Sequence, residues 1–326
     1  MTYTSEVAVV VLNWNNALDS LECLASLRRS IEPVFLIVVD NGSTDGSEAQ
    51  IRASGLADVV LQSGGNLGYA GGNNVGIRYA VQARFHAVCV LNNDTVVEPG
   101  ALGTLLHQLG TGGALAVSPR IDYLDSPGVP WFAGGVIDRG MPLHLQPDQV
   151  PLTGCAARSS ETLSGCCIMA LSSTWQTVGL FDERYFLIFE DSDWSVRARR
   201  CGVQLQIADA ALIHHKVSRS FSSGPASLLG CYYHARNGVR FHRKYACRYL
   251  VRFLDQWVLR PSIRAGRAGA APSTVRLLGA LAGCAGPGGP APRLLTRLVQ
   301  RIISRPKMPP NDWRPPGLAE RDGPAP

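Results

Sequence analysis

Five short stretches of the chain carry residue types able to do chemistry. Asn92, Asn93 and Asp94 end an apolar run, Ala87 to Leu91. A carboxylate there offers the oxygen ligand that Mg2+ and Mn2+ prefer. Asp40 stands at the same place after a second apolar run, Val34 to Val39, and opens the loop Asn41 to Ser47. Its carboxylate can accept hydrogen bonds from a base N–H or a ribose hydroxyl, and the helix start after the loop favours anions. The glycine-rich stretch Gly64 to Asn74 lets a ligand approach backbone closely, though it is neither a Walker loop nor a GxGxxG. Glu190, Asp191 and Asp193 crowd three carboxylates into four residues after the apolar Phe186 to Phe189. A carboxylate so placed can serve as a general base, and the helix dipole favours the anion of Asp191. Finally, His214 and His215 close a strand-like segment, where a histidine can complete a metal site with Asp94. Each stretch has a bland counterpart: a turn, an N-cap, a flexible connection, a solvated helix start, a structural histidine.

The elements that must position these residues alternate. Val7–Leu12, Val34–Val39, Val59–Leu61 and Ala87–Leu91 read as strands, the long ones continuously apolar as in a parallel sheet buried on both faces. Between them, Leu18, Leu21, Leu24 and Leu27 recur at helical spacing, and further helices are expected to about Ala53, about Val81 and, after Pro99, about Leu109. Such alternation predicts an α/β doubly wound sheet, whose ligands lie outside the carboxyl ends of the strands. After about residue 114 the pattern changes. Residues 118–154 are rich in Pro and Gly and predict loops and a hairpin. Residues 162–171 predict a strand, 190–201 a helix stopped by Gly202, and 203–207 and 211–213 two short strands. Beyond Tyr232 the chain reads as helical and basic.

At 326 residues, 46% hydrophobic and 17% charged, the chain is globular in composition. Residues 240–326 carry 16 Lys and Arg against 4 Asp and Glu, a net of +12 within a whole-chain charge of +6. That asymmetry points to an acidic partner such as a membrane surface. The start MTYTSEVAVVVLNWN lacks a basic n-region, and no apolar run is long enough to span a bilayer. Nine scattered cysteines without a CxxC read as reduced thiols, with neither a disulfide framework nor a zinc site. A cytoplasmic protein is therefore expected.

Eight segments, in order, resemble the inverting family 2 glycosyltransferases of the GT-A fold, the bacterial rhamnosyltransferase type above all: VAVVVLNWNN, VVDNGSTDGS, GGNLGYAGGNNVGIRYA, VLNNDTVVEPGAL, LSGCCIMA, VGLFDERYFLIFEDSDWSVRARRCG, ALIHHKVS and YYHARNGVRFHRKY. The resemblance runs from about Glu6 to about Tyr245. It implies a catalytic region over 1–245, with a nucleotide-sugar-binding half (1–114) and an acceptor and catalytic half (115–245). A basic helical extension (246–305) and a disordered tail (306–326) would follow. It also implies roles. Asp40 matches the residue that binds the donor nucleoside, with Asn13 and Asn41 beside it. Asn66, Gly68, Asn73, Asn92 and Asn93 border the donor. Asp94 closes the segment corresponding to the family's DxD metal motif, whose first acid is here Asn92. His215 matches the metal- or diphosphate-contacting histidine. Asp191 matches the catalytic base, next to Glu190. Trp131, Gly134 and Gly135 fall where the acceptor cleft is shaped.

The function this resemblance implies is transfer of a sugar, L-rhamnose from dTDP-rhamnose above others, to a saccharide or lipid-linked acceptor, with Mg2+ or Mn2+. In residues 293–305, leucines and isoleucines alternate with arginines, as in a helix lying on an anionic membrane. Three alternatives stand beside it. A nucleotidyltransferase would want a basic glycine-rich loop, which Asn13-Trp14-Asn15-Asn16 does not supply. A catalytically degenerate nucleotide-sugar binder is favoured only by the missing first acid. A nucleic-acid partner is not expected, because the basic tail lacks interleaved aromatic platforms.

Overall fold

The computed structural model describes residues 6–111, 115–145, 157–217, 225–266 and 270–285. The helix expected over 293–305 and the tail from 306 lie outside the described residues.

The first part alternates strand and helix: β1 (Val7–Asn13), α1 (Ala17–Leu27), β2 (Val34–Asp40), α2 (Ser47–Ser54), β3 (Val59–Gln62), α3 (Gly68–Gln82) and β4 (Ala87–Asn92). Layers on both faces bury β1, β2 and β4, which is why they read as unbroken apolar runs. Each fully buried Val, Leu or Ile side chain contributes roughly 1.5–3 kcal/mol. The strands pair in parallel in the order β3-β2-β1-β4. Asn13 lies opposite Asp40, and Leu12 opposite Asn92, so the three polar ends reach one edge. Helix α3 packs across β1, β2 and β4. It begins at Gly68, earlier than a flexible glycine loop predicts. Gly76 allows the close packing, since a Cβ there would strike Val10 Cγ1.

The second part adds β5 (Thr95–Val97), α4 (Ala101–Thr111), β6 (Ala116–Tyr123), β7 (Ser126–Phe132), β8 (Gly135–Asp138), β9 (Met141–His144), β10 (Arg158–Ser159), β11 (Cys167–Leu171), α5 (Ser172–Val178), α6 (Glu190–Arg200), β12 (Leu205–His215) and α7 (Pro225–Tyr245). The sheet order becomes β10-β12-β6-β11-β4-β1-β2-β3. β11 is antiparallel to both β4 and β6, whereas β12 is parallel to β6. Three expectations are corrected. The strand at 162–171 starts only at Cys167, because a turn precedes it, with Cys167 N–H donating to the Ser164 carbonyl at 3.1 Å. The two short strands at 203–207 and 211–213 are one, β12, whose register shifts between Ala208 and Leu212. The Pro- and Gly-rich stretch holds more strand than expected: β7 folds back on β6, and β8 with β9 forms a small second sheet.

A turn of 3-10 helix (Cys247–Tyr249), α8 (Leu250–Phe253), a π-helical turn (Leu254–Leu259), α9 (Arg260–Gly266) and α10 (Ala270–Ala285) follow. α10 packs on α7 through buried Val275 and Ala280. Among the described residues no helix is long and apolar enough to cross a membrane, and the cysteines are free thiols.

Candidate active site

At the ends of β1 and β2 a buried polar cluster forms around Asp40. Its oxygens accept hydrogen bonds from Asn13 Nδ2 (2.8 Å), the Ser43 backbone N–H (2.9 Å) and Gln62 Nε2 (3.0 Å). Burial pushes the carboxyl up, but these donors outweigh it and hold the group below its ordinary value. Asn41 ties this loop to the start of α3: its Nδ2 donates to the Gly68 carbonyl at 3.2 Å and its Oδ1 accepts from Leu67 N–H at 3.0 Å. Asn66 Oδ1 accepts from Gly68 N–H at 2.9 Å. Asn73 is buried within α3 and donates to the Tyr69 carbonyl; its Oδ1 has no partner among the described residues.

A second cluster joins Asp94 and His215. β5 pairs antiparallel with the end of β12, setting Thr95 opposite His215. The Lys216 N–H then donates to the Asp94 carbonyl at 2.9 Å, and His215 Nε2 lies 3.0 Å from Asp94 Oδ1. Both side chains are buried. His215 Nδ1 has no partner among the described residues. His214 points elsewhere, to Glu98 at 3.1 Å. Lys216 is tied to α1 by Asp19 (2.5 Å) and Glu22 (2.7 Å). The Trp131 ring meets His215 edge-on, centroids 4.5 Å apart. The two clusters connect: Asn93 Nδ2 donates to Ser20 Oγ (2.9 Å), which donates to Asn13 Oδ1 (2.8 Å).

The three carboxylates of α6 fall into three environments. Asp193 is fully buried and paired with Arg197 (2.9 Å), Lys244 (2.6 Å) and the Tyr245 hydroxyl (2.8 Å), so it anchors α6 to α7. Glu190 is buried with Oε2 unpartnered among the described residues. Burial, and then the charge of Asp191, raises its carboxyl well above the ordinary value. Asp191 is half-buried and held at both oxygens. Gly165 N–H donates to Oδ2 at 2.9 Å, and Ser192 N–H donates to Oδ1 at 2.6 Å. Tyr69, whose hydroxyl donates to the Gly165 carbonyl, backs this arrangement.

The segment before α6 is strained. Phe186, Ile188 and Phe189 adopt φ of 65°, 69° and 77°, a conformation that costs a non-glycine residue on the order of 1 kcal/mol or more. Gly68 (φ +73°) lets α3 approach this segment, since a Cβ there would strike the Phe186 carbonyl.

Asn92, Asp94, Trp131, Glu190, Asp191 and His215 line one cavity of about 340 Å3. Its apolar walls include Met141, Leu143, Leu187 and Ile188. Gly134 and Gly135 lie behind it: Gly134 accepts from Leu145 N–H at 2.9 Å and Gly135 bridges to Thr162. The Asp40, Asn41 and Asn66 cluster also lies off this cavity, linked to it through Ser20 and Asn93. Residues that sequence reasoning did not single out are Tyr69, Gly165 and His234. The first sits in the glycine-rich stretch and the second in LSGCCIMA, so segment matching pointed to their neighbourhoods without a role. For His234 there was no signal beyond its segment.

A mixed, mostly parallel sheet with the Asp94–His215 pair at its strand ends, and the carboxylates of α6 lining the same cavity, is the arrangement of a GT-A-type transferase. The sequence matches the Glycosyl transferase family 2 profile over residues 8–156. It is 29% identical over 225 residues to a low-salt glycan biosynthesis hexosyltransferase of Haloferax volcanii, spanning 66% of this chain and 69% of that protein. It is 30% identical over 254 residues to the N-acetylglucosaminyl-diphospho-decaprenol L-rhamnosyltransferase of Mycobacterium tuberculosis, spanning 71% of this chain and 82% of that one. The structure of GalNAc-T7 with UDP, GalNAc and Mn2+ aligns with a TM-score of 0.59 at 16% identity, over 84% of this chain and 54% of that one. The chain belongs to glycosyltransferase family 2.

Proposed function

We propose that this glycosyltransferase inverts configuration as it moves a hexose, with L-rhamnose from dTDP-rhamnose the leading donor, to a hydroxyl of a saccharide or lipid-linked saccharide. The observation that carries this reading is that Asp94, His215 and Asp191, from three separate parts of the chain, line one cavity. The choice of sugar and acceptor is supported by the Mycobacterium tuberculosis relative, whose name states an L-rhamnosyl transfer and a diphospho-decaprenol.

The donor set of Asp94 and His215 fits Mn2+ or Mg2+. Among the described residues no group of three or more His, Cys, Asp or Glu able to hold a metal occurs; Asp94 and His215 would supply two protein ligands, and Mg2+ ordinarily takes substrate phosphates and waters as the rest. Asp94 and His215 would hold it, and its charge would offset that of the leaving nucleotide diphosphate.

Asp191 takes the proton of the acceptor hydroxyl. That oxygen bonds to the anomeric carbon as the bond to the diphosphate oxygen breaks on the opposite face, so configuration inverts. Gly165 and Ser192 keep the base aimed. Glu190, whose carboxyl burial and the neighbouring Asp191 charge raise well above its ordinary value, lines the same cavity beside the base. Asp40, Asn13 and Asn41 hold the nucleoside, Asn66, Gly68, Asn73, Asn92 and Asn93 border the donor, and Trp131 walls the acceptor side. Met141, Leu143 and Ile188 give the cavity an apolar wall.

The C-terminal helices lie at the cytoplasmic face of an anionic membrane. Val251, Ile263 and Leu281 are 79%, 69% and 66% exposed on helices of the strongly basic part. Flotation with phosphatidylglycerol vesicles tests this, and no flotation removes it.

The deciding assay is nucleotide diphosphate release from dTDP-rhamnose, UDP-galactose, UDP-glucose, UDP-N-acetylglucosamine and GDP-mannose with Mn2+. Release from one donor, reduced about 100- to 10,000-fold in Asp191→Asn, is expected. Release untouched by that change overturns Asp191 as the base.

A further inference from the structure

Asn237 and Arg236 of α7 are buried, and neither lines the cavity. Asn237 Nδ2 meets three carbonyls: Tyr185 at 2.8 Å, Leu187 at 2.7 Å and Ile188 at 2.8 Å. Arg236 Nη2 donates to the carbonyls of Tyr185 (2.7 Å) and Arg184 (3.2 Å). These carbonyls belong to the segment whose left-handed residues Phe186, Ile188 and Phe189 run directly into Glu190 and Asp191. On its other side, the Phe186 carbonyl accepts from Ala70 N–H of α3 at 3.3 Å.

We propose that Asn237, seconded by Arg236, is a positioning residue for Asp191: it clamps the strained segment whose last residue sets the first turn of α6. The assignment rests on the reading of Asp191 as the base. Strained backbone persists only where its surroundings over-determine it, and two amide protons shared among three carbonyls are what over-determines it here. An aspartate of the same size would set a carboxylate against those carbonyls, and a serine would keep one donor.

The test uses the full-length protein with Asn237→Asp and Asn237→Ser. Amide hydrogen exchange is followed in peptides covering residues 185–193. Turnover with Mn2+ of whichever of the five donors above the wild type uses, dTDP-rhamnose first, is measured at a temperature where circular dichroism shows every variant folded. Expected are faster exchange confined to that segment, a donor KM within about twofold of wild type, and a kcat lower by about 100-fold in Asn237→Asp and by less in Asn237→Ser. Unchanged exchange overturns the clamp. Faster exchange with wild-type kcat overturns its positioning role, and so does a loss that appears only as a lower melting temperature. A wild type that turns over none of the five donors defeats the transferase reading instead, and exchange then decides the clamp alone.

Discussion

His215 Nε2 lies 3.0 Å from Asp94 Oδ1 across 121 residues of sequence. Both side chains are buried, and the contact exists because β5 and β12 run antiparallel with Thr95 opposite His215. Two strands, not a local motif, therefore make the pair.

His215→Ala removes one of the two side chains proposed to hold the cation and leaves Asp94 in place. The Mn2+ concentration for half-maximal turnover is expected to rise at least about tenfold, with kcat at saturating Mn2+ much less affected. A Mn2+ titration of both proteins checks this, and superimposable curves take His215 out of the metal site. His214→Ala, which touches only the exposed Glu98 contact, serves as the control.

Glu190 makes stability depend on pH in a predictable direction. Its folded carboxyl is raised above the ordinary 4.5 by burial and by Asp191. The fold therefore holds a proton that the unfolded chain releases above that pH. Its contribution is complete below about pH 4.5 and is lost as pH rises towards the folded value. Glu190→Gln mimics the protonated group and removes this loss, so its melting temperature should fall less between pH 5 and pH 8 than that of wild type. Parallel melting curves for the two proteins contradict the assignment.

Asp193 shares α6 with Asp191 but serves structure. Removing it takes the shared buried carboxylate from Arg197 and Lys244, leaving Arg197 its backbone carbonyls and Lys244 the longer contact to Asp182, and loosens the hold of α6 on α7. Asp193→Ala should cost about 3 kcal/mol in urea denaturation while leaving donor KM near wild type under folding conditions. A cost under about 1 kcal/mol shows the contact to be dispensable.

The parts of the molecule legible in the sequence share one property: burial on both faces. β1, β2 and β4 announce themselves because no solvent-facing residue interrupts them. The ligand-facing edge follows, since Asn13, Asp40 and Asn92 are the first polar residues after those runs. Gly68, Gly71 and Gly72 read as loop because glycine that permits tight helix–sheet packing looks the same as glycine in a loop; Leu12 lying against Gly72 separates the cases. β12 was split at Ala208 because a bulge breaks periodicity without ending a strand. The different environments of Glu190, Asp191 and Asp193 could not be read locally. Lys244, Tyr245 and Gly165, which distinguish them, are distant in sequence.

The tie from Lys216, the residue after β12, to Asp19 and Glu22 on the first helix spans 197 and 194 residues. During synthesis the chain can assemble β1 to β4 early, yet Asp94 has no histidine until residue 215 has left the ribosome. The side of the cavity that Asp94 and His215 line thus forms only after β12 has been made. A chain cut short before that point can carry the ordered β1–β4 sheet and still lack the Asp94–His215 pair.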